Sequence, residues 1–289
     1  MFELLAAADI MAGMTDPINP QAENKPAFQY LHYLILLAAG VVLGIWLAKT
    51  PQGFLGKADA IGYAVCHQIE ERSFSFFGHV SPMCARCTGM YTGVLVAAGF
   101  YFLSRKRGAA QFPPGRINAV LILFALLWGL DGFNSYLHLF PNAPHVFPPS
   151  NINRMITGSL MGINLMTLLL VGFNQVVWFE PREKRVLASF KELGILLLSV
   201  LATDVIVLLD LEVVVLAASI LSILSVVYLL TMVYSMAAVL ILKRENRYAS
   251  WWSLRYMLLA GFILAFMQIG ALDWIRFALT HTWDGGFGY

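Results

Sequence analysis

Residues 213–242 read VVVLAASILSILSVVYLLTMVYSMAAVLIL, a run of thirty positions without one Asp, Glu, Lys or Arg. A helix needs about 20 apolar residues to cross the hydrocarbon core of a bilayer, which is roughly 30 Å thick. This run is longer than one span requires, so its helix should tilt or project beyond the membrane. The run predicts a transmembrane helix.

The rest of the chain has the same character. Of its 289 residues, 59% are hydrophobic and only 12% are charged, whereas a soluble domain has about 25% charged residues. Long apolar runs recur and predict about seven spanning helices. Their positions are 28–48, 88–104, 117–140, 154–179, 189–209, 213–242 and 253–280. The expected fold is all-α, a polytopic transmembrane helix bundle.

Basic residues mark every second loop of this predicted bundle. The loops after the second, fourth and sixth helices are rich in Lys and Arg, and the positive-inside rule places such loops in the cytoplasm. The N-terminus is then inside, and the loops at 49–87 and 141–153 and the turn near Asp210 are extracytoplasmic. We therefore predict a multi-pass protein of the cell inner (plasma) membrane. The basic residues are Arg105, Lys106, Arg107 and Arg116, then Arg182, Lys184 and Arg185, then Lys243, Arg244 and Arg247.

Composition also suggests how the chain is divided and what surrounds it. The net charge of +2 gives no indication of nucleic-acid binding, and the expected partner is the lipid bilayer. Residues 1–27 are predicted to be a cytoplasmic N-terminal segment, and residues 28–180 a membrane domain with the polar motifs. Residues 181–289 form a three-helix membrane extension. Its nearly uniform Leu, Val, Ile and Met favour a scaffold, or a surface for other membrane subunits.

All three cysteines of the chain fall in or beside one loop. The pattern is Cys66-His67, then sixteen residues, including His79, and a C-x-x-C formed by Cys84 and Cys87. A C-x-x-C turn directs two thiolates at one ion, and a third thiolate with an imidazole completes a tetrahedral set suited to zinc. Sulfur ligands also suit other thiophilic metals. The sequence predicts a metal site of Cys66, His67, Cys84 and Cys87, with His79 as the competing fourth ligand.

Two other interpretations of the cysteines stay open. The loop is expected to face an oxidising compartment, where a disulfide forms readily. Cys84 and Cys87 then act as a redox pair with Cys66 as a resolving thiol. The other interpretation is that all three thiols are inert and simply packed in the protein.

Polar side chains also gather at one end of the third and fourth predicted helices. Asp131, Asn134, Ser135 and His138 follow the spacing i, i+3, i+4, i+7, which places them on one helix face. Arg154 and Gly158 begin the next helix. A charged residue within a span usually faces a partner or a cavity, so Asp131 and Arg154 are predicted to form an ion pair.

This polar group has a functional and a structural interpretation. In the functional one, Arg72, Arg86 and Arg154 hold an anionic group while Asp131 serves as an acid/base or orients a ligand. We accordingly name Asp131, Arg154 and Arg86 as candidate catalytic residues. In the structural one, the Asp–Arg pair only pins two helices together.

Three pairs of glycines stand four residues apart within predicted helices. Small residues at this spacing let two helix backbones approach closely, and we expect packing inside the bundle rather than dimerisation. The pairs are Gly40/Gly44, Gly89/Gly93 and Gly158/Gly162.

The motifs together resemble a known family. Residues 66–74 read CHQIEERSF and residues 82–93 read PMCARCTGMYTG, followed by DGFN at 131–134 and NINRMITGSLMG at 151–162. This pattern is similar to the prokaryotic predicted membrane-protein family called domain of unknown function 2085, over roughly residues 60–170. The resemblance implies that the motif residues belong to the family pattern and supplies no activity. They are Cys66, His67, Arg72, Cys84, Arg86, Cys87, Asp131, Asn134, Arg154 and Gly158.

The motifs leave three functions open. One is a metal-dependent membrane enzyme acting on an anionic amphipathic substrate. A second is an accessory or structural subunit of a membrane complex, in which the metal holds the loop to the bundle. The third is a quinone-linked thiol–disulfide oxidoreductase.

Overall fold

The computed structural model describes residues 26–138, 140 and 147–283. The described residues form eight α-helices and two small two-stranded sheets. The helices are α1 (Pro26–Lys49), α2 (Gly53–Val65), α3 (Ala85–Leu103), α4 (Gly115–Leu137), α5 (Asn151–Val177), α6 (Phe190–Leu208), α7 (Glu212–Ile241) and α8 (Trp251–Thr280). The strands are β1 (Ser73–Phe76), β2 (His79–Cys84), β3 (Ala109–Gln111) and β4 (Arg182–Arg185).

The all-α polytopic membrane bundle is confirmed, with a helix at each of the seven predicted positions. Within the described residues, four helices (α4, α5, α7 and α8) are each long and apolar enough to cross a membrane. The count rises to five if α1 and α2 form one broken span. The shorter α3 and α6 have 19 residues each, and α6 carries three charged residues, Lys191, Glu192 and Asp204. Seven helices are therefore in position, but only four or five qualify by length and composition.

The segment predicted as a loop at 49–87 is itself structured. After α1 the chain bends by 104° into α2, and the antiparallel β1–β2 hairpin follows. The hairpin turns at Phe77 and Gly78, both with positive φ. Helix α2 has only 13 residues. It is shorter than the roughly 20 residues of a full span, so the apolar pattern did not predict it. The predicted N-terminal segment lies outside the described residues except for its last two positions.

The contact between α3 and α5 is unusually close because glycines face backbone. A Cβ built on Gly89 would lie 2.2 Å from the carbonyl oxygen of Met155, and one on Gly158 would lie 2.1 Å from that of Arg86. Gly93 and Gly162 make equivalent approaches. The expectation of packing inside the bundle is confirmed for these two pairs. It is not met by Gly40/Gly44, where a built Cβ would meet no described atom within 4 Å.

The basic loops meet at one end of the bundle. Strand β3 pairs in parallel with β4, and Trp178 bridges to Tyr248. Lys106 is buried there and donates to Glu192 at 2.8 Å and to the carbonyl of Arg185 at 3.2 Å. These contacts join the loops after α3, α5 and α7. The cysteine-bearing segment lies at the other end, where the backbone N–H of Phe77 donates to Glu212 at the start of α7.

The C-terminal helices pack into the core rather than beside it. Ser219 of α7 hydrogen-bonds to Ser81 of β2 at 2.8 Å. Asp204 of α6 accepts from Ser159 at 2.6 Å. Asp273 of α8 also has a partner, because the Trp46 indole N–H donates to it at 3.1 Å.

Candidate metal centre

Three different elements deliver the cysteines to one point. Helix α2 ends at Val65, and Cys66 is extended, with its N–H donating to Gly62 O at 2.7 Å. The β-hairpin then reverses the chain so that β2 ends at Cys84, the N-cap of α3. Cys87 follows in the first turn of α3, and residues three apart in a helix share a face. The C-x-x-C spacing works here because it spans a helix start.

The three thiols form a compact group. Their Sγ atoms all lie within 4.8 Å of one another, whereas four sulfurs at about 2.3 Å from a tetrahedral zinc are about 3.8 Å apart. Cys66 and Cys84 are buried, and Cys87 is half-buried. The backbone N–H of Cys84 donates to Cys66 Sγ at 3.2 Å, an interaction that stabilises a thiolate. The residues present therefore fit a thiophilic ion with small adjustments of side chains.

A close contact between α2 and β2, made by Gly62 and Gln68 with Pro82, holds Cys66 beside Cys84. A Cβ on Gly62 would lie 2.1 Å from Pro82 O, so only glycine permits this contact. Gln68 adopts a positive φ of 53°. From there its side-chain amide donates to the carbonyls of Asp59 and Pro82, both at 3.0 Å. This contact could not be predicted from the sequence, because neither Gly62 nor Gln68 has a side chain that typically binds a metal.

The two candidate histidines differ in their surroundings. His79 Nε2 contacts Asp59 Oδ1 at 3.1 Å, and His79 is not part of the thiol group. His67 is also outside the group of ligand atoms within 4.8 Å. Its Nε2 atom is buried, however, and has no hydrogen-bond partner among the described residues. His67 thus stays the predicted fourth ligand, and the structure gives His79 a different partner.

Electrostatics around the thiols follow from their crowding. The hydrogen bond with Cys66 lowers the pKa of Cys84 well below its ordinary value, and the same contact raises the pKa of Cys66. Burial lowers the pKa of His67, and the nearby Arg72 and Arg86 act in the same direction. The charge of Cys84 acts on the pKa of His67 in the opposite direction, so burial is the main cause of its lowering.

The predicted ion pair between Asp131 and Arg154 is wrong, because Arg86 occupies the carboxylate instead. Arg86 Nε and Nη2 donate to Asp131 Oδ2 at 2.8 and 2.5 Å. Nη2 also reaches Ser135 Oγ at 2.8 Å, and Thr157 donates to the same carboxylate oxygen at 3.3 Å. Arg86 is the second residue of α3, one position before Cys87. The pair therefore joins α4 to the cysteine motif.

Among the described residues, neither Arg154 nor Arg72 forms a salt bridge with a carboxylate. Arg154 is 5% exposed and donates to the neutral amide of Asn151 at 2.9 Å, while its Nε has no partner among the described residues. Arg72 forms no salt bridge within the described part of the chain. The positive charges of Arg72 and Arg86 act on Arg154. Burial, together with the charge of Arg86, lowers the pKa of Arg72. The three arginines predicted to hold an anion are thus close enough to repel one another.

Arg276, on the last helix, was not identified from the sequence. Its guanidinium donates to the carbonyls of Tyr63 at 2.7 Å, Cys66 at 2.6 Å and His67 at 3.0 Å. It also lies 4.0 Å from the centre of the Tyr63 ring. A signal was available, because a lone arginine at the predicted outer end of an apolar helix departs from the positive-inside pattern. Arg276 fixes the backbone that carries Cys66 and His67.

The fold and this site define an integral membrane helix bundle with a buried three-thiol cluster at one end. Residues 66–168 match the model of the family described as predicted membrane protein, domain of unknown function 2085. The chain belongs to this family, which confirms the resemblance seen in its motifs.

Two archaeal proteins are similar to the chain, and both are named only as uncharacterised. The protein of Methanocaldococcus jannaschii is 28% identical over 160 residues, which cover 51% of this chain and 96% of that protein. The protein of Methanothermobacter thermautotrophicus is 35% identical over 108 residues, 36% of this chain and 83% of that protein. No solved structure matches the chain.

Proposed function

We propose that this protein is a metal-dependent membrane enzyme, with zinc as its ion, that acts on an anionic amphipathic substrate. The observation that supports it best is a cluster of three sulfurs within 4.8 Å, beside arginines that no described carboxylate neutralises. Three protein ligands with a fourth, exchangeable position are typical of catalytic zinc. A zinc ion there would act as a Lewis acid toward a carbonyl or phosphoryl oxygen.

The arginines support the choice of an anionic substrate. Arg154 and Arg72 provide guanidinium groups that form no salt bridge with a described carboxylate, and guanidinium binds carboxylate and phosphate in a bidentate manner. Arg86 is held by Asp131, so Asp131 is a positioning residue in this proposal and not an acid/base. In this proposal, the end of the bundle that carries the cysteines lies at the membrane surface, where the charged headgroup of a lipid is located. A phosphate-bearing or carboxylate-bearing lipid is the substrate class that these features favour.

The site is proposed to lie on the extracytoplasmic side of the inner membrane. Its support is the separation of the two ends of the bundle, because the basic loops converge opposite the cysteines. The positive-inside rule then assigns the basic end to the cytoplasm.

Metal analysis of the purified protein tests the centre. Elemental analysis of the detergent-solubilised chain should find about one zinc per chain, and Cys84→Ser should lose it. His79→Ala is the matched control, since this histidine contacts Asp59 instead of the cluster, and it should retain the metal. Absence of any stoichiometric thiophilic metal from the unmodified protein would contradict the proposal.

A lipid-binding assay tests the substrate class separately. Arg154→Gln should keep the metal and weaken binding of an anionic lipid by about tenfold or more, since a charge-assisted hydrogen bond contributes about 1.5–3 kcal/mol. Asn153→Ala, an exposed neighbour in the same turn, is the control and should change neither. Equal lipid binding by both variants would argue against an anionic substrate at this site.

A structural role in an accessory subunit is the second candidate, and the free Nε2 of His67 favours it. If His67 binds the ion, four protein ligands enclose it, which is typical of structural zinc. X-ray absorption distinguishes the two, because a closed site shows three sulfurs and one nitrogen that do not change when substrate analogues are added. A quinone-linked thiol exchange is less favoured, since the sulfurs form a triangle rather than one bonded pair.

A further inference from the structure

A cavity of about 430 Å³ lies at the end of the bundle opposite the cysteines. It forms where the β3–β4 pairing and the Trp178–Tyr248 bridge draw the basic loops together. No part of the metal centre contributes to it. Its lining includes Arg107, Arg182, Glu180, Trp178, Tyr248 and Trp251.

The charged part of the lining is predominantly positive. Arg107 and Arg182 both line the cavity, and neither forms a salt bridge with a described residue. The side chain of Arg182 lies along the backbone of Gly108, where a Cβ would be 3.1 Å from its Cδ. Glu180 is the acid in this lining, and it is exposed to solvent. The balance of charge favours an anionic ligand.

The remaining wall is aromatic. The rings of Trp178 and Trp251 meet edge to face at 4.9 Å, and Trp251 stacks on Phe173 at 5.7 Å. The Trp178 indole N–H is already used by Asn174 Oδ1 at 2.7 Å, so this wall offers mainly apolar surface. Tryptophan with one apolar and one polar side is typical of the membrane interface. A ligand of this cavity should therefore be amphipathic.

The start of α8 adds a third contribution. Ser250 caps the helix and Trp251 is its first residue, and both line the cavity. The N-terminus of a helix carries a partial positive charge and is suited to phosphate. Arginines, a helix start and an aromatic wall thus converge on one space of ordinary ligand size.

We propose that this cavity binds the phosphate headgroup of an anionic phospholipid from the leaflet on the basic side of the bundle. The phosphate lies between Arg107, Arg182 and the start of α8, and the glycerol and upper acyl chains lie along Trp178 and Trp251. Basic pockets between helices on the cytoplasmic side are suited to such headgroups. A bound lipid here would connect the loops that close this end of the bundle.

Native mass spectrometry of the full chain tests the site with phosphatidylglycerol as the probe. Arg107→Gln with Arg182→Gln should weaken binding of this lipid by about tenfold or more. The matched control, Arg105→Gln with Arg116→Gln, removes the same charge from two exposed residues that do not line the cavity. Arg105 lies in the same loop as Arg107, and Arg116 lies in the first turn of α4. Glu180→Gln should strengthen binding, which gives a gain of affinity that misfolding cannot produce.

Two further arms identify the ligand. Phosphatidylcholine should bind more weakly than phosphatidylglycerol to the unmodified chain. Glycerophosphoglycerol, the soluble headgroup without acyl chains, should compete only at much higher concentration. Equal loss in both double variants, or equal binding of the two lipids, would overturn the site. Equal affinity for the soluble headgroup would overturn its assignment to the bilayer.

Discussion

Asp131 illustrates how one buried charge organises the family motif. It is 2% exposed and holds Arg86, the residue directly before Cys87. Replacing it by Asn leaves a largely buried guanidinium without its counter-charge, which typically costs about 3–5 kcal/mol. We expect Asp131→Asn to lower the free energy of unfolding by that amount in denaturant titrations of the solubilised protein.

Asp210→Asn is the control for this prediction. Asp210 lies exposed in the turn between α6 and α7 with a φ of 54°, a conformation that Asn also tolerates. Its replacement should change the free energy of unfolding by less than about 0.5 kcal/mol. If both variants unfolded alike, the Arg86–Asp131 pair would have no particular role.

Arg276 allows a second prediction at the scale of a residue. Groups that orient metal ligands without binding the ion typically change metal affinity by about 10–100-fold. Arg276→Met keeps an apolar stem over Tyr63 and removes the three hydrogen bonds to carbonyls. We expect zinc affinity, measured by competition with a chelator, to fall within that range.

Arg255→Met is the matched control on the same helix. Arg255 lies near the other end of α8, where it stacks on the Trp252 ring at 4.6 Å and bonds to the Trp252 carbonyl. Its loss should leave zinc affinity unchanged. A variant of Arg276 with normal zinc affinity but reduced stability would show that the arginine only packs the helix.

At the scale of helices, the glycines between α3 and α5 make a direct prediction. Gly158→Ala places a methyl group 2.1 Å from Arg86 O, and a backbone carbonyl within a helix cannot move aside cheaply. Overpacking of this kind costs about 1–3 kcal/mol or more. The thermal unfolding temperature of Gly158→Ala should therefore fall, and metal content should fall with it because Arg86 and Cys87 are displaced.

Gly99→Ala tests the same substitution in α3 where a built Cβ meets nothing described within 4 Å. Alanine is the better helix former by about 1 kcal/mol. Its unfolding temperature should stay the same or rise. An equal fall in both variants would contradict the close contact between the two helices.

The sequence predicted the helices well where apolar runs are long. The run at 213–242 matches α7 (Glu212–Ile241) to within one residue at each end. The 13-residue α2 and the hairpin could not be found in this way, because neither is long enough to give a span signal. The cysteines were expected to lie close together. Which arginine pairs with Asp131 depends on how the helices are rotated about their axes, and tertiary packing, which the sequence pattern does not reveal, places Arg86 there instead of Arg154.

At the scale of the whole molecule, the two ends of the bundle should face opposite sides of the membrane. A membrane-impermeant maleimide should label Phe77→Cys in intact cells, since Phe77 is 62% exposed at the tip of the hairpin. Lys184→Cys, exposed among the basic loops, should react only after lysis. The unmodified chain gives the baseline from its three native thiols. Labelling in the reverse order would invert the proposed orientation.

The Arg276 contact has a consequence for biogenesis. Arg276 follows Cys66 by 210 residues in the chain. The segment that carries Cys66 is therefore synthesised long before the arginine that binds its carbonyls. During membrane insertion this segment lacks the hydrogen bonds from Arg276 until α8 enters the bilayer. We therefore expect the backbone at Cys66 and His67 to reach its final position only after α8 is in place, and a chain interrupted before α8 to lack these three hydrogen bonds.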